Sequence, residues 1–374
     1  MKVMTVLGTR PEIIRLSLVI RQLDAAVQHV LVHTGQNYHD GLDGVFFREL
    51  GVRAPDLHLG IKGSGFGDQA GKLFAAIEPV FLEHRPDRLL ILGDTNSGLS
   101  AIVARRLGVP VYHMEAGNRC FDDRVPEEIN RRVIDHSSTV LMPYTERSRT
   151  NLLREGFPTD RVFVTGNPIK QVIDHFADRI SASVALRDLK LAERKYVLVT
   201  MHRAENVDRE DRLRGLVDAL ERVHRETGCP VVCSLHPRTR SKLEHFGVDF
   251  ARAGLRFVEP MGFFDFITLE RSAYCILSDS GTVQEEACIF GVPNVTLREV
   301  TERPETVECG SNHIAGTDPE AIIRAVRLVV AQRTDWAPPA EYLAPQVAET
   351  VARIVTGYRA PDGAEREWSS GARV

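Results

Sequence analysis

The sequence predicts an α/β protein with two doubly wound, Rossmann-like domains that face each other across a cleft. Short β-branched runs alternate with amphipathic helical segments, a charged and irregular stretch interrupts them, and the same alternation then begins again. A chain of 374 residues can form two domains of ordinary size. We predict an N-terminal domain at residues 1–170, a connecting helix and linker at 171–194, a C-terminal domain at 195–358 and a disordered, Gly-, Ser- and charge-rich tail at 359–374.

The predicted strands are short apolar runs, typical of parallel sheets that helices cover on both faces. In the first domain they lie at residues 3–7, 30–33, 89–92, 109–113, 140–142 and 162–165. In the second domain they lie at residues 196–200, 231–234, 257–259, 274–277 and 294–297. Ligands of such domains bind outside the carboxyl ends of the strands, so the residues that follow each strand are the first candidates for function.

Composition limits the choice of partners and compartment. The net charge of −4 gives no general reason to expect nucleic acid or an anionic membrane as a partner. No apolar stretch approaches the roughly 20 residues of a membrane span or forms a signal sequence, so we predict a cytoplasmic protein. The six cysteines contain no C-x-x-C pair, which favours reduced, buried thiols and no metal site.

The segment at residues 278–286, SDSGTVQEE, is the most informative in the chain. It joins an apolar strand to a helix, and the start of a helix offers unpaired backbone N–H groups and the positive end of the helix dipole. Ser280, Gly281 and Thr282 are small enough to let a diphosphate approach, and Glu286 is placed to accept hydrogen bonds from ribose hydroxyls. The alternative is an ordinary helix cap at Asp279 or Ser280.

In the first domain, charged residues follow the predicted strands. Arg10 can form a forked contact with phosphate, although a surface arginine that caps a carbonyl is an equal alternative. Asp94 and Glu115 follow two strands, and Glu127 lies at a predicted helix start. Crowded carboxyl groups can supply both a neutral acid and an ionised base near pH 7. Helix caps and dipole complements are the alternatives for these acids.

In the second domain, His202 and His236 each follow a strand, and Phe263 offers an aromatic face near a base-binding position. His202 is placed to donate a hydrogen bond to a diphosphate. A lone histidine is more often structural, and aromatic residues at these spacings are more often core.

Seven motifs occur in order along the chain: GTRPE at residues 8–12, GDT at 93–95, EAGNR at 115–119, PEEINR at 126–131, HR at 202–203, SDSGTVQEE at 278–286 and TERPE at 301–305. Together they resemble the non-hydrolysing UDP-N-acetylglucosamine 2-epimerase family through nearly all of the chain up to about Gly357. The resemblance implies a glycosyltransferase-B-like fold and inversion of C2 of a UDP-2-acetamido sugar without metal or nicotinamide cofactor. UDP is eliminated to leave a 2-acetamidoglycal, and it adds back while C2 is protonated from the other face.

The resemblance implies a role for each candidate. Asp94, Glu115 and Glu127 match the acid and base carboxylates, and His202 joins them in the predicted catalytic set. The predicted substrate-binding residues are Arg10, Arg15, Arg119, His236, Phe263, Ser280, Gly281, Thr282 and Glu286. The resemblance also implies a homodimer.

Departures from the family pattern bear on the substrate. Arg15 replaces the usual lysine, and residues 35–39, GQNYH, replace a Gln-His motif that binds an activating UDP-N-acetylglucosamine, so this regulation is not expected. Together with residues 115–122 and 262–265, this looks like the capsule and O-antigen branch that makes UDP-N-acetyl-L-fucosamine from UDP-2-acetamido-2,6-dideoxy-L-talose. Phe121 would suit the 6-deoxy methyl group.

Four alternatives remain open at this stage. The substrate pair could be UDP-N-acetylglucosamine and UDP-N-acetylmannosamine, or the enzyme could be a hydrolysing 2-epimerase. A glycosyltransferase of the same fold would not need three carboxylates to handle C2. A non-catalytic UDP-sugar sensor is the remaining class.

Overall fold

The structure is a computed structural model that describes residues 1–35, 40–332 and 335–359. It divides into two compact units. The first contains Met1–Val172 and the described part of Ala344–Val374, and the second contains Ile173–Leu343. Residues 36–39, which carry the predicted loss of regulation, and residues 360–374 of the predicted tail lie outside the described residues.

The first unit is built around a sheet of six parallel strands. They are β1 (Lys2–Leu7), β2 (Gln28–His33), β3 (Leu57–His58), β4 (Arg88–Leu92), β5 (Val111–Met114) and β6 (Val140–Met142). Their order across the sheet is β3-β2-β1-β4-β5-β6. Two right-handed halves therefore meet where β1 lies beside β4, as in doubly wound dinucleotide-binding folds.

Helices alternate with these strands. They are α1 (Arg10–Ala26), α2 (Asp40–Glu49), α3 (Phe66–His84), α4 (Ser100–Arg106), α5 (Pro126–His136), α6 (Glu146–Arg154) and α7 (Ile169–His175), with 3-10 turns at Asn96–Leu99 and Thr159–Arg161. In α1, proline occupies the first turn, where its missing N–H has no consequence. Ile13, Leu16, Ile20 and Leu23 follow at helical spacing and are fully buried, so one face of α1 packs into the core.

The second unit repeats the architecture. Its strands are β7 (Val197–Thr200), β8 (Val231–Ser234), β9 (Leu255–Val258), β10 (Cys275–Ser278), β11 (Asn294–Thr296) and β12 (Asn312–Ile314). Their order is β12-β11-β10-β7-β8-β9, which is the order of the first sheet counted from the opposite edge. The described helices are α8 (Ala177–Ser181), α9 (Ala185–Asp188), α10 (Ala204–Val207), α11 (Glu210–Thr227), α12 (Pro237–His245), α13 (Phe263–Ser272), α14 (Gly281–Phe290), α15 (Pro304–Glu308) and α16 (Pro319–Ala331), with a 3-10 turn at Ala340–Leu343.

The chain then returns to the first unit with α17 (Val347–Gly357), which differs from the predicted boundary at residue 358. The buried face of α17, including Val347 and Val351, packs on α1. Arg88 donates to the carbonyl of Val355, and Tyr112 Oη donates to the carbonyl of Tyr358 over 2.7 Å. The apolar period of the sequence marks this helix but gives no sign of which sheet it covers.

Two further differences concern short elements. The predicted strand at residues 162–165 is a single bridge between Leu141 and Val162. The predicted linker at 171–194 contains α8 and α9 and joins the second unit, where Thr268 Oγ1 donates to the carbonyl of Ile180 over 3.0 Å. Among the described residues, no helix combines the length and the apolar character that crossing a membrane requires.

Candidate active site

Each sheet has its strand order reversed at one point, and several of the predicted site residues follow the strands that meet there. In the first sheet, the reversal lies between β1 and β4, which are followed by Arg10 and Asp94. In the second sheet, it lies between β7 and β10, which are followed by His202 and Ser280. Open α/β sheets bind ligands at this position because the two following loops diverge and leave a crevice.

Glu12 joins the loops that follow β1 and β4. Its Oε2 accepts hydrogen bonds from the Gly8 amide at 3.1 Å and from Thr9 Oγ1 at 2.7 Å. Its Oε1 accepts from Thr95 Oγ1 at 3.1 Å. Burial raises the pKa of Glu12 to about 7, although these hydrogen bonds oppose the rise. This carboxyl group therefore holds the Arg10 and Asp94 loops together.

We expect the Glu12→Gln variant to change how stability depends on pH. Because the folded protein raises the pKa of Glu12 from 4.5 to about 7, it holds this proton more tightly than the unfolded chain does. The free energy of unfolding of wild type therefore falls as pH rises from 4.5 to about 7. Glutamine does not titrate. The free energy of unfolding of the variant, measured relative to that of wild type, should therefore rise by up to roughly 3 kcal/mol as pH goes from 5 to 8.

Melting temperatures of both proteins across this pH range measure the effect. Glu83→Gln, at an exposed position of α3, is the control and should leave the pH profile unchanged. Parallel profiles for wild type and Glu12→Gln would show that Glu12 is already ionised in the folded protein.

Asp94 is held by α5. Arg131 Nη2 and Nε donate to Asp94 Oδ2 over 2.5 and 3.1 Å, and Asn130 Nδ2 donates to the Asp94 carbonyl over 3.1 Å. The Asp94 side chain nevertheless keeps 26% of its surface exposed. It therefore has a fixed orientation and remains open to a ligand.

Glu115 lies in a strained turn after β5. Its φ angle of 65° is in the left-handed region, which non-glycine residues adopt at a cost. Its Oε2 lies 3.4 Å from Arg15 Nη1, and its Oε1 accepts from Asn118 Nδ2 at 3.3 Å. A Cβ atom placed on Gly93 would lie 3.9 Å from Glu115 Oε2. The structure therefore places the Glu115 carboxylate beside the residue that precedes Asp94.

The two adjacent glutamates of α5 differ in environment. Glu128 is fully buried, and it accepts from the amides of Cys120 and Phe121 and from Arg131 Nη1 over 3.0, 3.1 and 2.6 Å. Glu127, in the same first turn, is half-buried. Glu128 thus holds the loop before α5. Glu127 lies in the first turn of α5, the helix whose Asn130 and Arg131 hold Asp94.

The three predicted arginines lie in different environments. Arg10 is partly exposed at the start of α1. Arg15 is buried beside Glu115, with its guanidinium 6.0 Å from the centre of the Tyr144 ring. Arg119, predicted to bind substrate, has a fully buried side chain that pairs with Asp135 at 2.8 Å and Glu155 at 2.6 Å. We therefore assign Arg119 to the framework of the loop rather than to ligand binding.

In the second unit, α14 begins directly after β10 with Ser280 as its N-cap residue. The Ser280 side chain makes no capping hydrogen bond to the helix, and its Oγ lies 3.0 Å from Thr282 Oγ1. Gly281 is buried, and a Cβ atom there would lie 2.7 Å from Glu302 Oε1. The hydroxyls of Ser280 and Thr282 therefore lie together at the start of α14, and the Glu302 side chain packs against Gly281.

Asp279 ties the loop after β7 to the start of α14. It is fully buried and accepts from the amides of His202 and Arg203 at 3.0 Å each and from Asn206 Nδ2 at 3.1 Å. His202 Nδ1 lies 3.1 Å from its Oδ1. Burial alone would raise the pKa of Asp279, but the attraction of His202 and these hydrogen bonds outweigh it and hold the pKa at about 2. His202 is thus oriented by a buried carboxylate while 40% of its side chain stays exposed.

The remaining three predicted residues, Glu286, His236 and Phe263, lie in three different environments. Glu286 lies on α14 near the fully buried Glu270, and burial followed by the charge of Glu286 raises the pKa of Glu270 well above its usual range. The His236 ring centre lies 5.9 Å from that of His202, and its Nδ1 caps α12 by accepting from the Arg238 amide. Phe263 is only 2% exposed and packs edge-on against Phe264, so its ring belongs to the core of this unit.

Sequence reasoning missed several residues that organise these loops. Glu12 and Arg131 lie inside the GTRPE and PEEINR motifs, but the sequence predicts no role for either residue, and it predicts Asp279 only as a helix cap. It predicts no role for His113 or Asp135. His113 lies inside β5 and Glu115 in the turn after it, so the alternation of strand residues does not link the two in the sequence.

Known protein structures share this fold. A WaaG glycosyltransferase structure matches with a TM-score of 0.60 and 14% identity over 96% of this chain and 100% of that one, which is a likeness of fold alone. The crystal structure of Methanocaldococcus jannaschii UDP-GlcNAc 2-epimerase in complex with UDP-GlcNAc and UDP matches with a TM-score of 0.91 over 95% of this chain and 99% of that one. The predicted fold class, two Rossmann-like domains of the glycosyltransferase-B type, is confirmed.

The family model described as UDP-N-acetylglucosamine 2-epimerase matches residues 21–356. The curated M. jannaschii enzyme is 39% identical over 95% of this chain and 99% of its own length. A UDP-2,3-diacetamido-2,3-dideoxy-D-glucuronate 2-epimerase from Pseudomonas aeruginosa is 37% identical over 87% of this chain and 92% of its own length. The chain belongs to the UDP-N-acetylglucosamine 2-epimerase family. It is an isomerase of the 2-epimerase type, as predicted.

Proposed function

We propose that this protein is a non-hydrolysing C2 epimerase of a UDP-2-acetamido sugar. The observation that carries the proposal is the geometry of the first unit, where Asp94 and Glu115 follow adjacent parallel strands and Glu115 Oε2 lies close to Gly93. Proton removal and return at one carbon need two such groups, and paired carboxyl groups can occupy different protonation states. Membership of the family supports the same reaction class.

In the proposed reaction, a carboxylate removes the C2 proton while the bond from C1 to the UDP oxygen breaks. The electron pair of the C2–H bond forms the C1–C2 double bond of a 2-acetamidoglycal, and UDP leaves with the electron pair of the C1–O bond. UDP then adds back to C1 as a carboxylic acid delivers a proton to the opposite face of C2. The C2 proton is only weakly acidic, so stabilisation of the leaving diphosphate is a large part of the catalysis.

The groups of the second unit suit the diphosphate and nucleoside. Ser280, Gly281 and Thr282 form the start of α14, where backbone N–H groups and the helix dipole favour an anion. His202 is held by Asp279 and stays partly exposed, so it can donate to the same diphosphate. Glu286, on α14, is proposed to accept from the ribose hydroxyls. For Arg10, which follows β1 in the first unit, we propose a phosphate contact.

For the substrate, we propose UDP-2-acetamido-2,6-dideoxy-L-talose, with UDP-N-acetyl-L-fucosamine as product. The support is the set of sequence departures at Arg15, residues 115–122 and residues 262–265, together with the Phe121 ring, which is 71% exposed and available to an apolar methyl group. UDP-N-acetylglucosamine with UDP-N-acetylmannosamine is the second candidate, favoured by the 39% identity to the M. jannaschii enzyme. We also propose a homodimer, which sedimentation velocity of the purified protein tests directly.

Proton NMR of each purified UDP-sugar with the enzyme in D2O tests the function. We expect the L-talose derivative to give its C2 epimer, with deuterium incorporated at C2. Turnover of UDP-N-acetylglucosamine alone would establish the second candidate. Release of free N-acetylmannosamine with UDP would indicate a hydrolysing epimerase, and transfer of the sugar without deuterium at C2 would indicate a glycosyltransferase.

A further inference from the structure

His113, buried in β5, contacts the backbone just after β4 and a carboxylate of α5. Its Nε2 lies 2.9 Å from the carbonyl oxygen of Gly93, the residue before Asp94. Its Nδ1 lies 2.8 Å from Oδ1 of Asp135, on α5. A carbonyl oxygen can only accept a hydrogen bond, so Nε2 donates to Gly93. The ring therefore links β5 directly to the backbone at the point where β4 turns into the Asp94 loop.

Asp135 extends this link to the loop that carries Glu115. Its Oδ2 accepts from the amide of Gly117 over 3.2 Å and pairs with Arg119 Nη2 at 2.8 Å. Burial by itself would raise the pKa of Asp135, but the contacts with His113 and Arg119 outweigh it, and the pKa is lowered. The Asp135 carboxylate thus contacts three groups, the His113 ring, the Gly117 amide and the Arg119 guanidinium.

The loop after β5 needs this support because its backbone is strained. Glu115 has φ of 65°, and Gly117 has φ of 79°. A side chain at position 117 would clash, because a Cβ atom there would lie 2.3 Å from the carbonyl oxygen of Ser148. Such a conformation persists only where surrounding contacts hold it in place. The Asp135 carboxylate is one of those contacts.

The two side chains of α5 that hold the loops of Asp94 and Glu115 lie on one face of the helix. Arg131 and Asp135 are four residues apart, so they lie one turn apart on the same side of the helix. Arg131 holds the Asp94 side chain, and Asp135 holds the Glu115 loop and, through His113, the backbone before Asp94. One helix face thus fixes the relative position of the two predicted acids.

We infer that His113 is a positioning residue that acts with Asp135 to hold Asp94 and Glu115 in register for proton transfer at C2. The inference rests on the proposed epimerase function and adds two residues to it, neither of which needs to touch the substrate. Misplacement of reacting groups by about 1 Å can cost about 100-fold in rate. Loss of the His113 link should therefore reduce kcat by roughly 10- to 100-fold while UDP, which lacks the sugar, binds as before.

The first unit contains a matched control for a purely structural histidine. The His29 side chain, like that of His113, is 1% exposed and hydrogen-bonded to an aspartate. Its Nδ1 lies 2.7 Å from Asp24 Oδ1 and its Nε2 lies 2.8 Å from Thr5 Oγ1. His29 pairs with Val3 near the amino end of the sheet, away from the strand ends that carry the acids. His29→Gln therefore removes a similar buried contact without disturbing the predicted site.

The test compares wild type with His113→Gln, Asp135→Asn and His29→Gln in the full chain. Three measurements are made on each: the melting temperature, kcat and KM from C2 deuterium exchange, and amide hydrogen exchange by mass spectrometry of the segments at residues 92–96 and 114–119. For His113→Gln and Asp135→Asn we expect faster amide exchange in both segments and a lower kcat, with unchanged UDP affinity by calorimetry. For His29→Gln we expect a lowered melting temperature only.

The outcomes separate this inference from the proposed function. Absence of C2 exchange by wild type would refute the epimerase proposal, while amide exchange of the two segments would still decide whether His113 holds them. Unchanged amide exchange in the His113→Gln protein, or a kcat loss no larger than that of His29→Gln, would overturn the positioning role. If His113→Gln does not fold, the isosteric Asp135→Asn variant provides the same comparison.

Discussion

Replacing Asp94 with asparagine should abolish measurable deuterium exchange at C2 while UDP still binds. Asparagine keeps the size of the side chain but cannot accept or return a proton, and a positioned acid or base contributes about 10² to 10⁴ in rate. We therefore expect kcat to fall about 1000-fold, and Glu115→Gln to have a comparable effect. Deuterium incorporation by NMR and UDP affinity by calorimetry measure the two properties separately.

Asp87→Asn is a matched control for this experiment. Asp87 is exposed just before β4, whereas Asp94 follows the same strand at its other end. The control should retain activity within about 2-fold, since surface substitutions away from special features have small effects. Exchange at the wild-type rate in both Asp94→Asn and Glu115→Gln would remove these carboxyl groups from the proton transfer. Lost UDP binding would instead place Asp94 in ligand recognition.

Replacing Asp279 with asparagine should have the largest effect on stability, about 2 to 4 kcal/mol. A buried carboxylate that accepts from amides and pairs with His202 is costly to neutralise, because its donors lose a charged partner. The lowered pKa of about 2, against 3.8 for an unperturbed aspartate, corresponds to roughly 2.4 kcal/mol. Because the folded pKa is depressed, this stabilisation is present above about pH 4 and is lost as pH falls towards 2.

Chemical unfolding of wild type, Asp279→Asn and Asp208→Asn measures this effect. Asp208 pairs with Arg238 and Lys242, but its side chain is 34% exposed, and pairs of this kind contribute about 0 to 1 kcal/mol. We also expect Asp279→Asn to weaken UDP binding, since the loop that carries His202 loses its anchor. Equal stability of the two variants would mean that the buried carboxylate has no special role in holding this loop.

The strands were predictable from the sequence where they are buried on both faces. Residues 140–142, before Pro143, and 231–234, after Pro230, are short and mainly apolar runs, and they form β6 and β8 at those bounds. The edge strands β3 and β12 were missed because they have only two and three residues and contain His58, Asn312 and His313. So few residues establish no alternation of apolar and polar positions.

For the site, the sequence indicated which residues follow a strand. Among them, Arg10, Asp94, His202 and Ser280 follow the strands at the two reversals of strand order. It did not indicate which charged groups pair with each other. Asp279 and His202 are 77 residues apart, and His113 and Asp135 are 22 apart, so no local spacing links them. The partners of Arg119 were not predictable for the same reason. Arg119 was predicted to bind substrate, whereas its guanidinium pairs with Asp135 and Glu155.

The return of α17 to the first unit makes that unit discontinuous in the chain, with the second unit inserted into it. The chain passes from one unit to the other after Val172 and again after Leu343. A single proteolytic cut at either of these points does not free the first unit from the rest. The fragment that ends at the cut and the fragment that begins there still share the core packed between α1 and α17. Only residues 173–343 form a continuous stretch that could be excised whole, which makes the second unit the natural choice for isolated ligand-binding studies.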